Sequence, residues 1–164
     1  VTEWRTPSAG DLTDLVTRLR DLDWSWNLAD VAELAAGFGW RVVLARPNWV
    51  LLDTGLGAGS GKVHGASGKA VRIDTRLTDF VEEDAAGAER IRTAFAELAA
   101  VLTATLGEPT GRIPGRWPQI RWAGTGTTLV LAQSPVSVVL SLVTDARLAA
   151  DDRNIEAERQ GGLS

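Results

Sequence analysis

The chain has no cysteine, no methionine and no tyrosine, and only one histidine and three phenylalanines. Without Cys there are no disulfide staples, zinc–thiolate sites or thiol nucleophiles. A single His rules out two-histidine metal motifs. Basic charge is also short: the net charge is −4, and of 17 basic residues only Lys62 and Lys69 are lysines. That balance argues against general binding of nucleic acid or anionic membrane. The uncharged stretch from Trp122 to Thr144 is broken by Gly124, Gly126 and Gln133-Ser134-Pro135, whereas a bilayer span needs about 20 predominantly apolar residues. It reads as a buried hairpin. The opening Val1-Thr2-Glu3-Trp4-Arg5 carries charge and no apolar run, so no secretory signal and a cytoplasmic location are expected.

What is present is enough for a core. With 164 residues, 45% of them apolar, the chain is the size of one domain, residues 1–164, and should bury about two-thirds of its unfolded surface. Leu12, Leu15, Val16, Leu19 and Leu22 form a helical stripe, with Ser8 and Asp11 as its capping signal. A second helix is expected over about 28–38, capped by Asn27. The period then changes to 2: strands are expected at 41–45, 49–53 and 70–77, the last alternating Val71, Ile73, Thr75 and Leu77 with Arg72, Asp74 and Arg76. Ile91, Ala94, Phe95, Leu98, Val101, Leu102 and Leu106 define a long helix from Ala85 to Leu106, stopped by Gly107 and Pro109. Strands at 119–123, 127–132 and 136–143 follow, and a polar helix from Asp145 to about 160. The prediction is an α+β fold with about six strands. They form antiparallel β-meanders packed on a long central helix, with two N-terminal helices and one C-terminal helix. No sequence repeat relates the two strand runs.

The candidate chemistry fails its motif tests. Gly61-Lys62 resembles the end of a phosphate-binding loop, but Leu56 stands where that motif needs Gly and Val63 where it needs Ser or Thr. His64, the one possible imidazole base, lies between Gly61 and Gly68 in what reads as a flexible connection, a poor platform for a catalytic triad. Asp53 and Asp74 lie on neighbouring strands, yet Asp74 alternates with arginines, which fits salt bridging better than acid–base work. Arg112, Arg116 and Arg121 interleave with Trp117 and Trp122, a pattern that suits a single nucleic-acid strand. Alternation nevertheless puts Ile120 and Trp122 in the core and only Arg121 outward. No catalytic residue, cofactor or metal is expected.

Seven tryptophans are the feature left over. Trp24 and Trp26 sit in the short connection Asp23-Trp24-Ser25-Trp26-Asn27, and Trp and Arg anchors concentrate interface energy. A protein-binding surface is therefore expected around Asp23, Trp24 and Trp26 with Arg46 and Trp49. Burial of both indoles in the core is the alternative. A rival surface is the acidic run Asp79, Glu82, Glu83 and Asp84, which would suit a basic partner; its plainer meaning is compensation of the following helix dipole.

Asp23-Trp24-Ser25-Trp26, Gly39-Trp40-Arg41-Val42, Leu52-Asp53-Thr54-Gly55, Thr78-Asp79-Phe80, Gly107-Glu108-Pro109 and Ile120-Arg121-Trp122 together resemble a family of small actinobacterial proteins known only as a domain of unknown function. The resemblance spans nearly the whole chain and brings no activity or catalytic residues with it. It implies association with polymorphic toxin or effector-secretion loci. The expected role is an immunity-type protein that binds a toxin or secreted effector. A secretion chaperone is the alternative, and a small enzyme or nucleotide binder the third reading. Monomer and homodimer both remain open.

Overall fold

The computed structural model describes residues 4–161; the expectation for the N-terminal stretch falls partly outside them, at residues 1–3. Ser8 starts α1 (Ala9–Arg20), its hydroxyl accepting the Asp11 N–H at 3.1 Å. The stripe Leu12, Val16 and Leu19 is buried. A 3-10 turn (Leu28–Asp30) leads into α2 (Val31–Phe38), which Gly39 ends. The expected Asn27 cap is not made. Asn27 Oδ1 instead accepts from Lys69 Nζ at 2.6 Å, because the connection before α2 is tied sideways to the sheet. The central helix, α3 (Ala85–Leu106), has the predicted bounds and buries Ile91, Ala94, Phe95, Leu98 and Leu102.

Among the described residues eight strands, rather than about six, form one antiparallel sheet. They are β1 (Arg41–Arg46), β2 (Trp49–Asp53), β3 (Ala58–Ala66) and β4 (Lys69–Arg76) before α3, then β5 (Gly111–Ile113), β6 (Gln119–Ala123), β7 (Thr127–Gln133) and β8 (Val138–Thr144). The helix α4 (Asp145–Gly161) closes the chain. Strand β3 replaces the expected flexible connection, and two of its glycines, Gly61 and Gly65, are there for space. A Cβ on Gly61 would come within 2.7 Å of Thr54 Cγ2, and one on Gly65 within 2.4 Å of Leu28 Cδ1. Glycine lets the 3-10 turn and the β2–β3 loop lie directly on the strand. Ser67 and Gly68, both at positive φ, make the two-residue turn into β4.

The strand order is β1-β2-β3-β4-β8-β7-β6-β5. Two four-strand meanders therefore meet through their last strands, with Asp74 opposite Ser141 at the middle of the β4–β8 pairing. The halves repeat in topology without repeating in sequence. One face carries Val50, Leu52, Val63, Ile73, Leu129, Leu131, Leu140 and Leu142, which join α1, α2 and α3 in the main core. On the opposite face α4 lies over β7 and β8 and reaches Arg121 on β6 and Arg72 on β4 through Asp152 and Asp151. There Val130 and Val143 are buried outside the main core cluster. The uncharged stretch from Trp122 to Thr144 is accounted for by the end of β6 with β7 and β8. No helix among the described residues is long and apolar enough to cross a membrane.

Candidate functional site

The connection Asp23–Asn27 is pinned at both ends. Ser25 Oγ donates to Asp30 Oδ2 at 2.5 Å and accepts the Asn27 N–H at 3.1 Å. The Trp26 carbonyl accepts from Ala70 N–H at 2.7 Å, and Leu28 N–H donates to the Gly68 carbonyl at 3.0 Å. This clamps Trp26 at φ 58°, a left-handed conformation that costs a bulky residue on the order of 1–3 kcal/mol. The two indoles lean on each other, centroids 5.3 Å apart, and both are half-buried against the core. Trp24 Nε1 is buried with no acceptor among the described residues, a further cost of about 1–3 kcal/mol. Two departures from ideal geometry thus share one five-residue segment.

That segment forms one wall of an open cavity of about 700 Å³ between the end of α1 and the length of α2. Trp24, Leu22, Leu34 and Phe38 supply apolar lining; Asp21, Asp23, Asp30 and Glu33 stand around it with Arg18. Arg18 donates to the Gly37 carbonyl at 2.8 Å, Asp21 pairs with its neighbour Arg20, and Asp30 holds Ser25. Asp23 and Glu33 have no ion pair among the described residues. The hollow is apolar inside and acidic around, suited to an apolar or cationic side chain entering against the indole.

The expected surface does not stay together. Arg46 and Trp49 face each other on β1 and β2, and Trp49 faces His64 on β3. Trp49 alternates with the core residues Val50 and Leu52. It therefore lies on the opposite side of the sheet from Trp24 and Trp26. Asp23, Trp24 and Trp26 form one group; Arg46 and Trp49 form another. The acidic run is divided as well. Asp79 is gripped by Arg5 through 2.8 and 2.9 Å bonds, which hold its carboxyl below the usual range. Asp84 caps α3, its Oδ1 accepting the Gly87 N–H at 2.7 Å. Of this run, Glu82 and Glu83 are exposed and have no side-chain partner among the described residues.

The sheet face away from the main core carries a polar network that sequence reasoning did not assemble. Asp74 accepts from His64 Nε2 at 2.7 Å, Arg72 Nε at 2.7 Å and Ser141 Oγ at 2.5 Å. Burial alone would raise the Asp74 carboxyl, but the His64 and Ser141 hydrogen bonds and the charge of Arg72 lower it to about 2. The carboxylate stands between Ser and His, so the imidazole is not aimed at the hydroxyl, as a triad requires. Nor does Asp53 meet Asp74: its Oδ1 accepts from Gly55 and Gly57 N–H and its Oδ2 from Arg41. Among the described residues no cluster of three or more metal-ligating side chains forms. The alternation of Arg72 and Asp74 is visible in the sequence. The registers that bring His64 and Ser141 to them are not.

A family model, DUF6301, a family of unknown function, matches residues 10–144. The chain belongs to this family. The matched stretch begins in α1 and ends on the last residue of β8, so it contains the hollow and the sheet, and α4 follows it. Comparison with curated proteins and with solved structures gives no match.

Proposed function

We propose that this member of the family is a non-enzymatic binding module, an immunity-type protein that holds a toxin or other secreted effector in the cytoplasm, without a cofactor. The observation that carries the reading is the α1–α2 hollow. It is open, has apolar walls and an acidic surround, and is built on a segment with an unfavourable Trp26 backbone and an orphaned Trp24 indole. Strain of this kind persists where a site requires it. A partner that places an Arg or Lys side chain on Trp24 gains cation–π attraction and the charges of Asp23 and Glu33.

The test is co-purification with the product of the adjacent gene, repeated with Trp24→Ala and Trp26→Ala separately. Binding weakened about 30-fold or more at Trp24, with an unchanged thermal midpoint, supports an interface anchor. A large loss of stability at both positions makes them core and removes the site.

A secretion chaperone is the second reading, and one observation favours it. Strand β1 lies at the sheet edge, with Val42 and Val43 exposed, and such an edge can accept an extended segment of a client. The bulge at Val43 and the terminal Arg41 and Arg46 are the usual guards against uncontrolled strand addition. Retained binding to an unfolded effector, but not to its folded form, would favour the chaperone.

A further inference from the structure

On the outer sheet face α4 covers β6–β8 and reaches Arg72 on the adjoining β4, but not β1–β3. Arg121 on β6 holds Asp152 through two bonds of 2.8 and 2.9 Å, and Asp151 lies 3.0 Å from Arg147 of its own helix and 3.8 Å from Arg72 on β4. Thr128 Oγ1 donates to Asp145 Oδ1 at 2.9 Å. Helix α4 thus lies on the sheet by setting carboxylates onto basic strand residues, with Val130 and Val143 buried on that face.

Following the registers outward across the same face, Ser141 leads to Asp74, Lys62, Leu51 and Leu44, and the neighbouring row runs Arg72, His64, Trp49 and Arg46. Lys62 Nζ lies over the Trp49 ring, 5.3 Å from its centroid. Arg46 donates only to the Ala45 carbonyl, and neither cation has a carboxylate partner among the described residues. Asp74, opposite Lys62, is committed to His64, Arg72 and Ser141. The β1–β3 half therefore presents half-buried Leu44, Trp49 and Leu51 beside two uncompensated cations. None of the chain's described helices covers it.

We propose that the outer face of β1–β3 docks an acidic amphipathic helix of a partner protein, which lies on this half as α4 lies on the other. The argument rests on charge complementarity and on the example inside the molecule. Carboxylates of the incoming helix would meet Arg46 and Lys62, as Asp151 and Asp152 meet Arg72 and Arg121, and its apolar stripe would cover Trp49 and Leu51. The inference is independent of the α1–α2 hollow, which lies across the sheet and carries charge of the opposite sign.

The probe is a helix-stabilised synthetic peptide with a Leu stripe flanked by Asp and Glu, and a matched peptide with Lys in their place. Each is titrated into the isotopically labelled full chain. The acidic peptide should shift the resonances of Trp49, Leu51 and Lys62 by about 1 mM and leave Trp24 unmoved; the basic peptide should not. Arg46→Glu and, as the milder change, Lys62→Gln should each weaken binding, the reversal by about tenfold or more, with thermal midpoints close to the parent's. Absence of shifts, equal response to both peptides, shifts confined to the α1–α2 hollow, or binding indifferent to both substitutions would each overturn the proposal.

Discussion

The two halves of the sheet share a topology and differ in what lies over their outer faces. In the β5–β8 half, outward residues under α4 are withdrawn from water: Val130 and Val143 are 2% and 0% exposed, and Arg121 keeps only 13% of its side chain in water. In the β1–β4 half the equivalent face keeps Trp49, Leu51, Lys62 and His64 half-exposed, and edge strand β1 is exposed at every position except Leu44. A covered face tolerates valine and needs its arginine paired. An uncovered face displays aromatic and basic side chains together, as surfaces awaiting a partner do. At the seam, Asp74 and Ser141 join the two halves.

The largest effect should come from the face that both halves share. Phe95 and Leu98 on α3 are buried in the main core, so Phe95→Ala should cost about 3–5 kcal/mol, read as a lowered denaturation midpoint for both halves in one transition. Separate transitions would mean that the halves are independently stable.

Next comes the seam. The Asp74 carboxyl, 24% exposed, is held at about 2 against a usual 3.8. A depressed acid contributes stability that is complete above the usual value and lost as pH falls toward the folded one. Between about pH 4 and pH 2 the native chain should therefore lose about 2 kcal/mol that Asp74→Asn does not lose. The difference between the two acid-unfolding curves is the measurement, because it cancels the other depressed carboxyls, Asp53, Asp79 and Asp152.

The third test separates the outer faces. Arg121→Ala removes the two-bond hold on Asp152, which is 44% exposed and so partly screened by water; about 1 kcal/mol is expected. Amide exchange should quicken in 145–161 and stay unchanged in β1–β3. Equal loosening of both regions would show that α4 stabilises the whole sheet and that the halves are not distinct.

What is legible in the sequence is set by physical range. Helix α3 was read to its exact ends, because its stripe and its stop at Gly107 are local signals. Strand β3 was not: Gly61 and Gly65 mimic a flexible loop, and the cause is steric pressure from Thr54 and Leu28, distant or unpaired in sequence. Strand β5, three residues long, sits in a Gly- and Pro-rich crossing too short to carry a period. Of the site, the Asp23–Asn27 connection stands out in the sequence by its two tryptophans, whereas the positive φ of Trp26 has no local signal. That Arg46 and Trp49 lie on the other side of the sheet depends on alternation beside a core strand, and the row joining them to His64 and Arg72 depends on registers that no single strand encodes.

The smallest effect is expected on the uncovered half, and its smallness is the point. Among the described residues, Arg46→Gln removes a cation whose side chain bonds to the neighbouring Ala45 carbonyl alone, and Lys62→Gln one that rests on the Trp49 ring without an acid partner. Surface substitutions away from such partners stay within about 0.5 kcal/mol, and an exposed cation–π contact contributes only about 0.5–1 kcal/mol. Each variant should therefore match the parent's denaturation midpoint closely, with Lys62→Gln the lower of the two. Folding then gives no reason for positive charge on this face, in contrast to Arg121, whose charge holds a helix. A loss above about 2 kcal/mol at Arg46 would mean that the uncovered half is held together by its cations after all, and the contrast between the halves would fail where it is most specific.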